Sequence, residues 1–188
     1  MGVYRVRDLV RVPGLLSLSR LPLAAGFPFV AARPVAGLAI LVAAGLSDIL
    51  DGWYARRFGQ VTPTGAAVDP VTDKLFVLTV AVTLVLSSRL SPLEVLLLST
   101  RELGELPLVL WLATSHHARA RRAAHPSANV PGKLATVFQF AAVTAALFRL
   151  RQAYGLVVLA ACLGIFAAAS YWLRALREGR VDARGETP

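Results

Sequence analysis

Long apolar runs alternate with short polar links along this chain, and each run approaches the roughly 20 residues a helix needs to cross a bilayer core. Six such stretches are predicted, at about 13–32, 34–57, 67–88, 92–114, 131–150 and 154–175. Pro34, Pro63, Pro92 and Pro131 fall near the starts of these stretches or in the links before them, where a missing N–H costs little. Pro22 and Pro107 fall inside them and are expected to bend their helices. Because the links are short, a single transmembrane domain is expected over residues 1–178, with an interfacial segment at 1–12 and a polar tail at 179–188. The expected architecture is all-α and polytopic, with six transmembrane helices.

Composition supports this pattern. Of the 188 residues, 56% are hydrophobic and only 16% are charged, too apolar a balance for a soluble domain. Cys162 is the only cysteine, so no intramolecular disulfide forms. The opening "MGVYRVRDLVRVPG" lacks an apolar core followed by a small-residue cleavage site, and the expectation is that it is retained. Cations cluster before the first stretch (Arg5, Arg7, Arg11), after the second (Arg56, Arg57), between the fourth and fifth (Arg119, Arg121, Arg122, Lys133) and after the sixth (Arg174, Arg177, Arg180, Arg184). An even number of crossings puts all these segments on one side. The positive-inside rule makes that side the cytoplasm, with both termini there. A net charge of +9 on that face would draw anionic headgroups and phosphorylated substrates. Nucleic acid is not an expected partner, since no soluble basic domain or aromatic platform is present.

The conspicuous polar feature is "SDILDGWYARRFGQVTPTGAAVDPVTDKLF", residues 47–76. Asp48 and Asp51 are three apart at the cytoplasmic end of the second stretch, and Asp69 and Asp73 four apart at the start of the third. Helical spacing puts each pair on one face. "RRFGQVTPTG", with Gly59, Pro63 and Gly65, is expected to break the helix and turn the chain so that all four carboxylates meet. Such a concentration of anions must be offset by bound divalent cations, by neighbouring Arg and Lys, or by protonation. Carboxylate oxygens without His or Cys favour a hard ion such as Mg²⁺ or Mn²⁺, and several carboxylates can hold two. The bland reading is a pair of solvated, salt-bridged helix caps beside Arg56 and Arg57. Matched spacing at both pairs argues against it, and so do the small residues Gly52, Ala55 and Gly65, which would let a nucleotide or phosphate approach the backbone.

Asp48, Asp51, Gly52, Ala55, Arg56, Gly65, Asp69 and Asp73 reproduce the pattern DxxDGxxAR, eight residues, GxxxDxxxD. This resembles the signature of the CDP-alcohol phosphatidyltransferases. The resemblance implies that family's fold of six transmembrane helices, a cytoplasm-facing site for two divalent cations, and phosphatidyl transfer from a CDP-linked lipid such as CDP-diacylglycerol to an alcohol, releasing CMP. Within it, Asp48, Asp51, Asp69 and Asp73 would be the metal ligands and Asp73 also the general base. Asp48, Gly52, Ala55, Arg56 and Gly65 would receive the nucleotide. A homodimer is implied as well, assembled through membrane helices whose abundant Ala and Gly permit close packing.

"VPGLLSLSRLPLA" resembles the family's first helix, with Gly14 where an asparagine is usual; Ser17, Ser19 and Arg20 keep that helix's polar side. "TRELGELP" and "VPGKLATVFQ" resemble a subgroup, the bacterial phosphatidylglycerophosphate synthases, through Arg101, Glu102, Gly132, Lys133, Thr136 and Gln139. The expected acceptor is therefore sn-glycerol 3-phosphate, its phosphate held by Arg101, Lys133 and Arg20. Phosphatidylglycerol, as in cardiolipin synthases, is the alternative, and inositol phosphate and serine also suit the signature. For Arg101 the competing reading is an ion pair with Glu102 or Glu105, and for Lys133 an interfacial side chain reaching water. The histidines of the basic link 115–126 are read as solvated.

Three rival classes compete with this reading. A polytopic prenyltransferase also binds diphosphate through aspartates and Mg²⁺, but it would need a second aspartate-rich segment, and no Asp occurs between Asp73 and Asp182. A cation transporter would place its carboxylates near midplane. A silent scaffold would tolerate loss of Asp73.

Overall fold

The computed structural model describes residues 12–58, 63–114 and 130–183; in parts of these, including residues 55–56, 63–67, 108–114 and 174–183, only the backbone is described. The described residues are helical, without strands, and group into two compact units, Met1–Leu90 and Ser91–Pro188. Each unit is taken by itself. The first holds α1 (Val12–Leu18), α2 (Arg20–Val30), α3 (Pro34–Arg57) and α4 (Pro63–Leu86), and the second α5 (Pro92–Leu98), α6 (Thr100–Thr114), α7 (Val130–Leu147) and α8 (Ala153–Ala183).

Proline starts the helices where expected. Arg33 is extended (φ −105°, ψ 97°), as a residue before proline must be to avoid the ring, and Pro34 then opens α3. Ahead of α5 the Ser91 hydroxyl accepts from the Glu94 amide while the Glu94 carboxylate accepts from the Ser91 amide, with Pro92 at the first helical position. Beyond the ends of α4 and α7 the chain turns through non-glycine residues in the left-handed region, Ser88 (φ 52°) and Arg149 (φ 54°). The Arg89 amide then reaches the Leu84 carbonyl and the Leu150 amide the Ala145 carbonyl, both at 2.9 Å.

The first stretch is interrupted at Ser19, in the turn that precedes Pro22, and the fourth at Ser99, well before Pro107. Pro22 sits in the first turn of α2 and cannot donate to the Leu18 carbonyl across the interruption, and Pro107 is carried inside α6. Gly65, read as part of the turn, lies instead in the first turn of α4, because Pro63 fixes the backbone for helix entry. The six helical stretches stand at their expected places. As helices long and apolar enough to cross a membrane, the described residues contain Pro34–Tyr54 and Ala153–Leu173. The first and fourth stretches are each split in two, and α4 carries Asp69, Asp73 and Lys74 in its first half. Helix α8 runs on to Ala183, past the expected start of the tail at 179.

In the first unit Phe27 and Leu84 are fully buried beside Ala24, Leu41, Ala44 and Val80. The second unit's interior is built largely of alanine on α7 and α8, including Ala135, Ala142, Ala160 and Ala167. Small side chains allow close approach there. A Cβ on Gly104 would stand 2.7 Å from the Ala168 Cβ, and one on Gly164 would stand 2.9 Å from the Thr100 Oγ1 and 3.2 Å from the Arg101 backbone nitrogen. Large apolar side chains face outward in both units, among them Phe29, Val35, Leu86 and Phe166.

Candidate functional site

The break at Ser19 leaves Ser17 at the end of α1 and Arg20 at the start of α2, and both side chains reach the acidic faces of neighbouring helices. Ser17 Oγ lies 3.0 Å from Asp51 Oδ2 on α3 and 2.5 Å from Asp69 Oδ1 on α4. Arg20 Nη2 donates to the same Asp51 Oδ2 at 2.6 Å and to Asp48 Oδ1 at 2.8 Å. Three of the four signature aspartates are thereby joined through one hydroxyl and one guanidinium. Ser17, Arg20 and Asp51 are buried, while the Asp48 side chain is 62% exposed. Asp73 stands one turn beyond Asp69 on α4 and is exposed.

The donors of this cluster do not match its acceptors. A serine hydroxyl has one proton, so it donates to one of the two carboxylates facing it at a time, while Asp51 Oδ2 also receives Arg20 Nη2. Arg20 Nε and Nη1 are buried and have no hydrogen-bond partner among the described residues. The oxygen-only donor set suits a hard divalent cation, and Asp48 and Asp73 offer carboxylate oxygens on the exposed side. The described carboxylates do not themselves form a ready-made three-ligand cage; the Arg20 guanidinium bridges Asp48 and Asp51.

Among the nucleotide candidates, Gly52 follows Asp51 on α3 and is half-buried. Ala55 and Arg56 continue α3, and their side chains, with everything at Gly65 beyond its helical backbone, lie outside the described residues. The basic link 115–126 and the N-terminal cations at 5–11 lie outside them too.

In the second unit, Arg101 Nε donates to Glu105 Oε1 at 2.9 Å, and Nη1 donates to Thr136 Oγ1 at 2.6 Å and to the Gly132 carbonyl at 3.2 Å. Of the two candidate partners of Arg101, Glu105 is the one engaged. Gln139 Nε2 donates to the Leu98 carbonyl at 2.6 Å and contacts Glu102, and Trp172 Nε1 donates to the Gly104 carbonyl at 2.9 Å. The residues of "TRELGELP" and "VPGKLATVFQ" therefore tie α6 to α7. Lys133 is exposed.

Sequence reasoning missed Ser17 as a partner of the aspartates and placed Arg20 with the acceptor alone. The available signal was their spacing, three apart on an otherwise apolar stretch, which puts two polar groups on one helical face.

Comparison with known proteins agrees with the signature. The family model described as CDP-alcohol phosphatidyltransferase matches residues 10–172. A provisionally named cardiolipin synthase of Mycobacterium tuberculosis is 40% identical over 109 residues, covering 55% of this chain and 52% of that protein. The chain thus spans about half the length of the first curated relatives it matches. The probable phosphatidylglycerophosphate synthase of Mycobacterium tuberculosis is 34% identical over 188 residues, covering 94% of this chain and 86% of the relative. The CDP-diacylglycerol–glycerol-3-phosphate 3-phosphatidyltransferase of Aquifex aeolicus is 31% identical over 133 residues, covering 69% and 71%.

Proposed function

Since the chain belongs to the CDP-alcohol phosphatidyltransferase family, we propose that it transfers a phosphatidyl group from CDP-diacylglycerol to sn-glycerol 3-phosphate, giving phosphatidylglycerophosphate and CMP. The observation that carries this reading is the union of Asp48, Asp51 and Asp69 from two helices around Ser17 and Arg20. The relatives named for this reaction support the acceptor, the mycobacterial one along nearly the whole chain.

Asp48, Asp51, Asp69 and Asp73 would hold two divalent cations, Mg²⁺ or Mn²⁺, which when bound supply neutralisation of the phosphate charge that grows as the pyrophosphate bond breaks. Asp73 takes the proton from the acceptor hydroxyl as it attacks phosphorus. Gly52, Ala55, Arg56 and Gly65 receive the cytidine diphosphate beside Asp48. Arg101, Lys133 and Arg20 hold the acceptor phosphate, orienting its free hydroxyl. The protein lies in the bacterial cytoplasmic membrane with six crossings, as one domain and as a homodimer, with both termini and the aspartates on the cytoplasmic side. The cation distribution and the outward apolar side chains support this placement.

The second reading, a cardiolipin synthase that uses phosphatidylglycerol, is favoured by the 40% identity of the mycobacterial relative over 109 residues. Purified protein incubated with CDP-diacylglycerol, divalent metal and each acceptor in turn, with CMP release measured, separates the two. Release with glycerol 3-phosphate is expected. Release with phosphatidylglycerol alone would replace the first reading by the second, and release with no acceptor would overturn both.

A further inference from the structure

Arg20 is 1% exposed, yet a single nitrogen, Nη2, makes its described polar contacts. Nε and Nη1 are buried with no hydrogen-bond partner among the described residues. A guanidinium presents five N–H donors in a planar fork, and buried donors are rarely left unused. The nitrogen that is used stands where a cation would, between two carboxylates of the signature, and Asp51 Oδ2 receives both it and Ser17. A divalent ion binding those carboxylates and the guanidinium cannot share that position, because like charges so close repel strongly away from water.

We propose that Arg20 is a built-in counter-cation: it holds Asp48 and Asp51 in the metal-free protein, yields its place when a divalent ion binds, and then turns its fork to phosphate oxygens of a substrate. This rests on the reading under Proposed function and adds to it an order of events. The exposed side of Asp48 is the entrance for the ion. The displaced guanidinium already has two nitrogens without acceptors, and a planar fork matches phosphate oxygens two at a time. Metal binding and phosphate binding are thereby coupled, each favouring the state in which Arg20 has left the carboxylates. The phosphate can come from the pyrophosphate of the nucleotide lipid or from the phosphate monoester of the acceptor.

The test titrates Mn²⁺ into the purified full-length protein without substrate, reading free Mn²⁺ by electron paramagnetic resonance, for the unsubstituted protein, Arg20→Gln and Arg20→Lys. Arg20→Gln is expected to bind Mn²⁺ about tenfold more tightly or better, since no resident cation has to leave. Arg20→Lys keeps a charge without the fork; it is expected to show a smaller gain, and it decides the matter if the Gln variant does not fold. Equal or weaker Mn²⁺ affinity in the folded variants, or no Mn²⁺ binding by any of the three proteins, would overturn the proposal. With Mn²⁺ present, CDP and glycerol 3-phosphate are then titrated separately. A loss of about tenfold in the variants for CDP assigns the fork to the donor, and the same loss for glycerol 3-phosphate assigns it to the acceptor. No loss for either overturns the phosphate step. Failure of the broader reading looks different: no CMP release with any acceptor, whatever the Mn²⁺ result.

Discussion

With its one proton Ser17 faces two carboxylates, and Asp51 relies on that hydroxyl and on Arg20 together. Ser17→Ala leaves Asp51 and Asp69 facing each other without the bridge, so it is expected to lower stability by about 1–3 kcal/mol, read as a lower thermal midpoint in detergent. Asp73 is exposed on α4, and Asp73→Asn keeps the volume of its side chain. By removing the base and one metal charge, it should cut CMP release at least about a hundredfold. Full activity in that variant would remove Asp73 from the mechanism. The four aspartates were legible in the sequence because carboxylates at helical spacing on an apolar background are costly to keep unless they bind or react. Their partners were not, since Ser17 and Asp69 are separated by 52 residues and periodicity says which face a residue occupies, not which faces meet. Arg101 was legible as one of two readings, and its pairing with Glu105 follows the helical i,i+4 rule.

Helix positions followed from the apolar runs and the opening prolines, and α3 begins and ends where the pattern put it. The interruption at Ser19 falls in the turn before Pro22, whereas the one at Ser99 was hidden, because proline is the stronger signal for a break and serine has a milder one. A serine hydroxyl can hydrogen-bond to its own helix, as Ser19 does to the Leu16 carbonyl at 2.6 Å and Ser99 to the Val95 carbonyl at 2.9 Å. The left-handed residues Ser88 and Arg149 were hidden too, since neither is the glycine that position favours. Close packing of α8 on α6 gives a sharper test. At Gly164 an added methyl meets the Arg101 backbone nitrogen at 3.2 Å as well as the movable Thr100 side chain. Gly164→Ala is expected to cost about 1–3 kcal/mol in thermal unfolding by pushing the helices apart. An unchanged midpoint would show that α6 yields freely.

The outward apolar side chains of both units suit a protein that meets lipid. In lipid nanodiscs, mass measurement is expected to give two chains per particle, and single chains at all protein concentrations would refute the dimer. The burial of Arg20 also bears on how the protein is made. Its partner Asp51 is 31 residues further along the chain, so at ribosomal rates of about 5–20 residues per second Arg20 emerges roughly two to six seconds before its countercharge. A lone guanidinium is costly inside hydrocarbon. On the six-crossing reading, the first stretch should therefore settle in the bilayer only once α3 has followed it, the two entering as a hairpin. In a cell-free system with microsomes, chains cut after residue 33 should resist carbonate extraction less than chains cut after residue 58, and Arg20→Leu should erase that difference.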